Sequence, residues 1–594
     1  MNATGSIESE HPKLDTIRFE VIRNVMHAFV EEMAAALARS AYSTNIKTRR
    51  DHSCTFFDAR GKMVDQASDQ PSHLGALVFS VPAVLKEYGV ENLEPGDGVL
   101  VNDAHRGLVH LNDVCLISPI HYHGEIFGYV ANAAHHVDIG GRAPGSIAMT
   151  TDIFQEGVII PGVKFVKGGE IDKDMLKWFT ANVRGKKESA GDLRAQVASN
   201  KLGARRIVEL LDKYGVEVVN AAIEQLHKYT ECRVRHEFAR FPEGIFEGDA
   251  YVDDDGITDQ PICIKAKVVI KKGDMTVDLS DSDRQRRGPM NCTFAQTYSS
   301  AAFPIRALLP PDLPMNDGFY RMVKVIAPKG TVVNCTYPSA VVGGWEVGQK
   351  TVEAVLRAFS KALPDRVPAE TKKTILHIAF GGVDPRSQEY YVFLETNGGG
   401  FGARPTKDGV DAVQPALQNA ENSPIEELEV GYPVQIVRYE LIPDSEGAGK
   451  FRGGLGLRRD YRFRDHEANV TILADTAKFP ARGIFGGRDG RTARYLLNPC
   501  GKNFRDVGSK STFYAGPTDI VSMQTPGGGG CGDPREREPT AVLDDVRCSK
   551  TSLDRAREVY GVVINPESWS VDLKETSRLR KTRGGTRGRQ NAAV

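Results

Sequence analysis

Two apolar runs, Val114 to His121 and Ile126 to Ala134, flank the short polar segment His123-Gly124-Glu125, and histidines and aspartates crowd both far ends. Runs of strand length joined by a glycine-bearing turn predict an antiparallel hairpin. Ahead of the first run stands NDAHRGLVHLND, with His105, His110 and Asp113; behind the second stands HHVDIGG, with His135, His136 and Asp138. A three-residue loop over 123–125 sets Asp113 opposite His135, with His110 just beyond the open end. Directly opposed residues have Cβ atoms about 4.5–5.5 Å apart, near enough to share one metal ion. A two-residue loop would slip the register by one and send the two side chains to opposite faces. Imidazoles with carboxylates form a borderline nitrogen/oxygen donor set, suited to Zn²⁺, Mn²⁺ or Fe²⁺ rather than Ca²⁺ or Cu⁺. The plainer reading is that these histidines only hydrogen-bond neighbouring loops.

Around the hairpin the pattern divides the chain. Ile17, Val21, Val25, Met26, Phe29, Met33 and Leu37 recur at three- and four-residue steps, predicting a helix over 14–40 with that stripe buried. Helical spacing returns over 193–229, with Leu202, Ile207, Leu210 and Leu211 on one face. From about 240 to 345, short β-rich runs alternate with Gly, Pro and Asp turns. A helix is expected over 346–363, glycine-heavy β structure to about 535, and a last helix over 551–559. The expected fold class is α+β and multidomain. An N-terminal mixed α/β domain carries the metal hairpin (1–239), followed by a β-rich domain (240–345), a mixed β- and glycine-rich domain (346–565) and a basic disordered tail (566–594).

With 41% apolar and 26% charged residues among 594, the chain can fill several cores. Its 76 basic and 77 acidic side chains leave a formal charge of −1, which gives no general attraction to nucleic acid or acidic membranes. The basic stretch from Lys574 to Arg589 is an exception, and it reads as a solvated tail because nothing apolar there offsets ordering. Met1 to Pro12 lacks the apolar core of a signal peptide, and no apolar run is long enough to span a bilayer. The nine scattered cysteines include no C-x-x-C pair, which suits reduced thiols in a cytoplasmic protein better than a disulfide framework or a thiolate zinc site. Cys54 and Cys115 read as buried thiols rather than nucleophiles.

The segment GGWEVGQKT, Gly343 to Thr351, nearly spells a phosphate loop, but Gln349 stands between Gly348 and Lys350 and breaks the required spacing. NGGGFGA (Asn397 to Ala403) and TPGGGGCGDP (Thr525 to Pro534) lack strand–helix context. Close backbone approach is their expected role, with an anion nest as the alternative. No G-x-S-x-G elbow and no H-E-x-x-H helix occurs. An energy-requiring reaction would therefore take its ATP from another chain.

Many ordered blocks resemble the hydantoinase B/oxoprolinase family. They include RRDHSC (Arg49 to Cys54), HLGAL (His73 to Leu77), HLND, AHHVDIGGRAPGS (Ala134 to Ser146), QEGVIIP (Gln155 to Pro161), GDLRAQ (Gly191 to Gln196), GPMN (Gly288 to Asn291), KFRGGLG (Lys450 to Gly456), TPGGGGCGDP and YGVVI (Tyr560 to Ile564). The resemblance covers about residues 14 to 565. It implies a metal centre built from Asp51, His110, Asp113 and His135, and a heteromeric complex in which an A-type subunit binds Mg-ATP. His136 and Asp138 would orient a ligand or act in catalysis, His136 as a base. The chain departs from the family's NDP-aromatic-x-GG pattern at Ala104, His105, Gly107 and Leu108, and carries Thr48 where glutamate is common. These departures bear on substrate and loop shape and leave the four ligand positions intact.

An amide is a poor electrophile; ATP can turn its oxygen into a phosphorylated leaving group, and a metal can polarise it or supply hydroxide near neutral pH. The leading expectation is ATP-dependent ring opening of a cyclic amide, such as a hydantoin, lactam or oxoproline-like small molecule. The alternatives are an ATP-dependent ketone carboxylase of the acetone or acetophenone type and a catalytically silent scaffold subunit.

Overall fold

The computed structural model describes residues 14–501 and 503–582. The first helix, Thr16–Ser40, is capped by Asp15, whose side chain accepts from Arg18 N at 2.9 Å. Its buried face is Phe19, Ile22, Met26, Val30, Met33 and Leu37, which keeps Met26, Met33 and Leu37 of the expected stripe, whereas Ile17 and Val21 are 79% and 44% exposed. The sequence carries two overlapping helical stripes. Packing against Lys186–Tyr214 and Val216–Phe238 in one apolar cluster selects between them. Those two helices divide the expected 193–229 element, with Gly215 between them at φ 81°.

A seven-stranded sheet carries the N-terminal region. Its strands are β1 (His52–Asp58), β2 (Met63–Gln66), β3 (Gly98–Val101), β4 (Asp113–Tyr122), β5 (Glu125–His135), β6 (Pro161–Lys167) and β7 (Glu170–Ile171), in the order β2-β1-β5-β4-β3-β6-β7. All its ladders are antiparallel. β4 and β5 form the expected hairpin, but the turn has two residues, His123 (φ 51°) and Gly124 (φ 90°). Two left-handed residues suit a tight hairpin turn. Near it Tyr122 faces Glu125, a register that would separate Asp113 from His135. A bulge between Ile120 and His121 restores the register, and Asp113 pairs with His135.

The first sheet's other face packs against helix Pro71–Tyr88, which in turn meets Phe294–Ala307. Helix Gly344–Ala362, expected to open the third domain, lies on strands Gly244–Val252 and Ile262–Lys271 of the four-stranded middle sheet. The C-terminal region pairs a four-stranded with a five-stranded sheet around one core that includes Phe380, Phe393, Tyr461, Phe463, Tyr495 and Met523. The start of the supposed disordered tail is instead structured, with a short ladder joining Ile564 to Val571 and a helix over Leu573–Thr582. Thr576 Oγ1 ties that helix down by accepting from Val563 N at 3.0 Å. The remaining tail residues, 583–594, lie outside the described residues. Among those described, no helix is long and apolar enough to cross a membrane.

GGWEVGQKT forms the first turns of Gly344–Ala362, where Lys350 is fully buried and paired with Asp475 at 2.7 Å. The two glycine-rich segments cross each other, with Gly400 N donating to Pro526 O and Ala403 N to Gly529 O. A Cβ on Gly400 would sit 2.1 Å from Gly454 O, and one on Gly528 would sit 2.2 Å from Phe401 O. Close backbone approach is their role in the fold. Gly400→Ala and Gly528→Ala should each cost about 3 kcal/mol of stability through overpacking. Gly431→Ala, where a Cβ meets nothing within 4 Å, should change it by less than about 0.5 kcal/mol. Thermal melts of the three variants check this ordering.

Candidate metal centre

The hairpin's open end is fixed by backbone and amide contacts on both sides. Asn112 O accepts from His136 N at 2.9 Å, and Asn112 Nδ2 donates to His136 O and Gly145 O at 3.0 and 3.1 Å. Asp113 N returns to His110 O at 3.2 Å, folding HLND into a turn that brings His110 over the strand end. On the neighbouring strand, His135 N donates to Asp51 O at 3.0 Å, and Asn45 Nδ2 to His135 O at 2.7 Å. Arg49, fully buried, holds this corner to the C-terminal region by donating to Leu394 O at 3.1 Å and Thr396 Oγ1 at 2.6 Å.

The result is a convergence of imidazoles on one carboxylate. His73 Nε2, His135 Nδ1 and His110 Nε2 lie 3.2, 3.3 and 3.4 Å from Asp113 Oδ1. Ligand atoms of His110, Asp113 and His135 all fall within 4.8 Å of one another. Asp51 stands at the margin, with Oδ2 3.9 Å from His135 Nδ1. The fold therefore brings all four expected ligand residues to one place. His73, in the first turn of Pro71–Tyr88, joins them unanticipated; its HLGAL block was visible in the sequence but gave no sign of where it would point.

Two further walls come from distant sequence. Trp345, at the start of Gly344–Ala362, lies 4.8 Å from His110 and 4.2 Å from His377 between ring centroids. His377 opens a strand in the C-terminal region, 6.3 Å from His135. With Gln70, Gln296 and Gln418 these residues enclose a cavity of about 30 Å³, room for an ion and very few waters.

Burial and charge compete throughout this centre. Burial works to lower His73, but Asp113, helped by Asp51 and Asp69, holds it up at about 9. Burial pushes His110 down to about 3. It works upward on Asp113, yet the imidazoles of His110, His73 and His135 outweigh it and keep that carboxyl well below the usual range. Burial also holds His377 well below an ordinary imidazole. Neither Asp113 oxygen has a hydrogen-bond partner of good geometry, and His135 Nε2 and His110 Nδ1 also have none. The His110 and His135 nitrogens packed against that oxygen without aligned hydrogen bonds fit lone pairs meant for a shared cation.

His136 and Asp138 point elsewhere. His136 Nε2 lies 3.0 Å from Gln196 Oε1, on helix Lys186–Tyr214. Gln196 in turn donates to Val114 O and Asn132 Oδ1 at 2.8 and 2.9 Å. Asp138 accepts from the amides of Gly140, Gly145 and Arg184 at 2.9, 3.0 and 2.9 Å, and pairs with the Arg184 guanidinium at 3.1 Å. Both residues lie outside the cavity lining and support the loop behind His135.

A family model described as Hydantoinase B/oxoprolinase matches residues 15–534. A protein of Methanocaldococcus jannaschii, itself uncharacterised, is 39% identical over 96% of this chain and 100% of its own length. The caprolactamase subunit beta of Pseudomonas jessenii is 33% identical over 93% of this chain and 97% of its own. The crystal structure of the ATP-dependent caprolactamase from that organism matches with a TM-score of 0.90 at 30% identity, covering 96% of this chain and 100% of that one.

In metal-free protein the raised His73 pKa contributes stability of a definite sign. The contribution is complete below the ordinary 6.5 and is lost as pH rises through about 9. Asp113→Asn removes its source. The denaturant midpoint of the wild type should therefore fall toward that of the variant across this window; a difference that stays constant with pH would refute the coupling.

Proposed function

The chain belongs to the hydantoinase B/oxoprolinase family, and we propose that it is the metal-holding subunit of an ATP-dependent enzyme that opens cyclic amides, working beside a separate ATP-binding subunit. The observation that carries this reading is the set of His73, His110 and His135 nitrogens within 3.4 Å of Asp113 Oδ1 in one small cavity. His110, Asp113 and His135 would hold the ion, with Asp51 completing the set; Zn²⁺, Mn²⁺ and Fe²⁺ all suit such donors. Bound there, a divalent ion would polarise an amide or phosphorylated amide oxygen and favour hydroxide near neutral pH.

The chain's own residues supply the rest. Gln296 lines the cavity with both amide atoms buried and unpartnered, as is Trp345 Nε1. An acceptor and donors so placed suit a water held beside the ion, since about 30 Å³ admits no ring, and leaving them unmet costs about 1–3 kcal/mol each. His73 carries a proton at Nε2 beside Asp113 in the metal-free protein, and would release it as an ion binds. His136 and Asp138 act here as positioning residues, because their contacts hold the loop that follows His135. ATP is assigned to the partner, since the phosphate-loop-like segment is helical and its Lys350 is committed to Asp475.

The test is reconstitution with the ATP-binding partner. Hydantoin, caprolactam or 5-oxoproline should stimulate ATP turnover coupled to ring opening. His110→Ala and His135→Ala should lose bound metal and lower ring opening about 100-fold or more. ATP turnover stimulated only by a ketone with bicarbonate would end the amidase reading. Full complex activity in metal-free variants would end the metal reading.

A further inference from the structure

A second group of donors lies on the far side of the same sheet. Alternation along β1 sends Ser53 toward His73, at 3.4 Å, and His52 and Cys54 the other way. His52 pairs with Ala134 and Cys54 with Asn132, residues that face helix Lys186–Tyr214, whereas Asp113 and His135 share the opposite face with Cys115 and Ala133. Asp69, in the segment after β2, reaches across: its Oδ2 accepts from Cys54 N at 2.9 Å and its Oδ1 lies 3.9 Å from His52 Nδ1. The His52, Cys54 and Asp69 donor atoms fall within 4.8 Å of one another. His52 is 2% exposed, yet neither ring nitrogen has a hydrogen-bond partner. An imidazole buried in that state is destabilising and calls for an acceptor of its lone pair.

We propose that His52, Cys54 and Asp69 form a second divalent-metal site, selective for zinc or a metal of similar softness. One nitrogen, one sulfur and one carboxylate oxygen exclude Ca²⁺ and Mg²⁺ by donor type. Tetrahedral zinc, with bonds of about 2.0–2.3 Å, needs donors about 3.5 Å apart, so binding draws the three together by about an ångström. The Cys54 thiol gives up its proton to water as the metal–sulfur bond forms. Asp69 also borders a separate cavity of about 480 Å³ lined by Arg23, His27, Phe303 and Tyr320, which gives the ion a way in.

The site's role is to fasten the segment after β2 to strand β1. That segment continues directly into Gln70, Ser72 and His73, which line the first centre. The second metal therefore fixes one wall of the first, and its existence does not depend on which reaction the first performs.

Cobalt(II) substitution tests this on the full-length protein, because only a thiolate ligand gives a sulfur-to-cobalt charge-transfer band in the near ultraviolet. Cobalt-loaded wild type should show that band and bind two equivalents. Cys54→Ser should lose the band and one equivalent while keeping the native circular dichroism; Asp69→Asn and His52→Ala should weaken or abolish it. A variant lacking both His110 and His135 should keep the band, which separates this site from the first. If the wild type binds cobalt without a thiolate band, or if Cys54→Ser retains the band, the second site is ruled out.

Discussion

The register of the β4–β5 ladder is the constraint on which the candidate centre depends. Side chains alternate across a strand, so a slip of one residue would place Asp113 and His135 on opposite faces. The two-residue turn alone imposes that slip, and the bulge at Ile120/His121 reverses it. The extra residue sits near the exposed turn, far from the donors, where an irregular ladder costs little. The open end is then clamped by Asn112, which makes three contacts with His136 and Gly145.

Placing these donors under cover creates an electrostatic problem that the protein solves locally. Four histidines, two aspartates and Trp345 meet in a space from which nearly all water is excluded. Without a cation, the negative charge of Asp113 is balanced by a proton held on His73, and His110 and His377 stay neutral under desolvation. A metal ion would take over that balancing role, since a dication reverses the local preference for protons. Metal affinity and proton release are thus two sides of one equilibrium.

The far walls of the centre depend on contacts well away from it. Trp345 is positioned by a helix whose Lys350 pairs with Asp475 at 2.7 Å, and Lys510 pairs with the same carboxylate at 2.8 Å. All three groups are almost wholly buried, so this triad binds the helix to the C-terminal sheets, and removing one member would strand an uncompensated charge. The crossing glycine segments hold the same region by backbone contact. Their proximity leaves no room for a Cβ, which explains a composition that resembles a ligand-binding loop but performs packing.

Much of this was legible along the chain because it is local. Apolar periodicity marked the first helix and the hairpin, and the clustering of His110, Asp113 and His135 around two short runs pointed to their convergence, with Asp51 supplied by the resemblance of RRDHSC. The buried side of Thr16–Ser40 was legible only at Met26, Met33 and Leu37, because two stripes compete and only the neighbouring helices choose between them. Nor was the meeting of Trp345, His377 and Gln296 with the hairpin, since nothing in a linear pattern records which distant elements will touch. The sequence by itself determined the donor chemistry and the hairpin that carries it, because both depend on residues a few positions apart. Tertiary structure decided which face each donor occupies, how the cavity is closed and which buried charges pair, because those depend on packing between segments hundreds of residues distant.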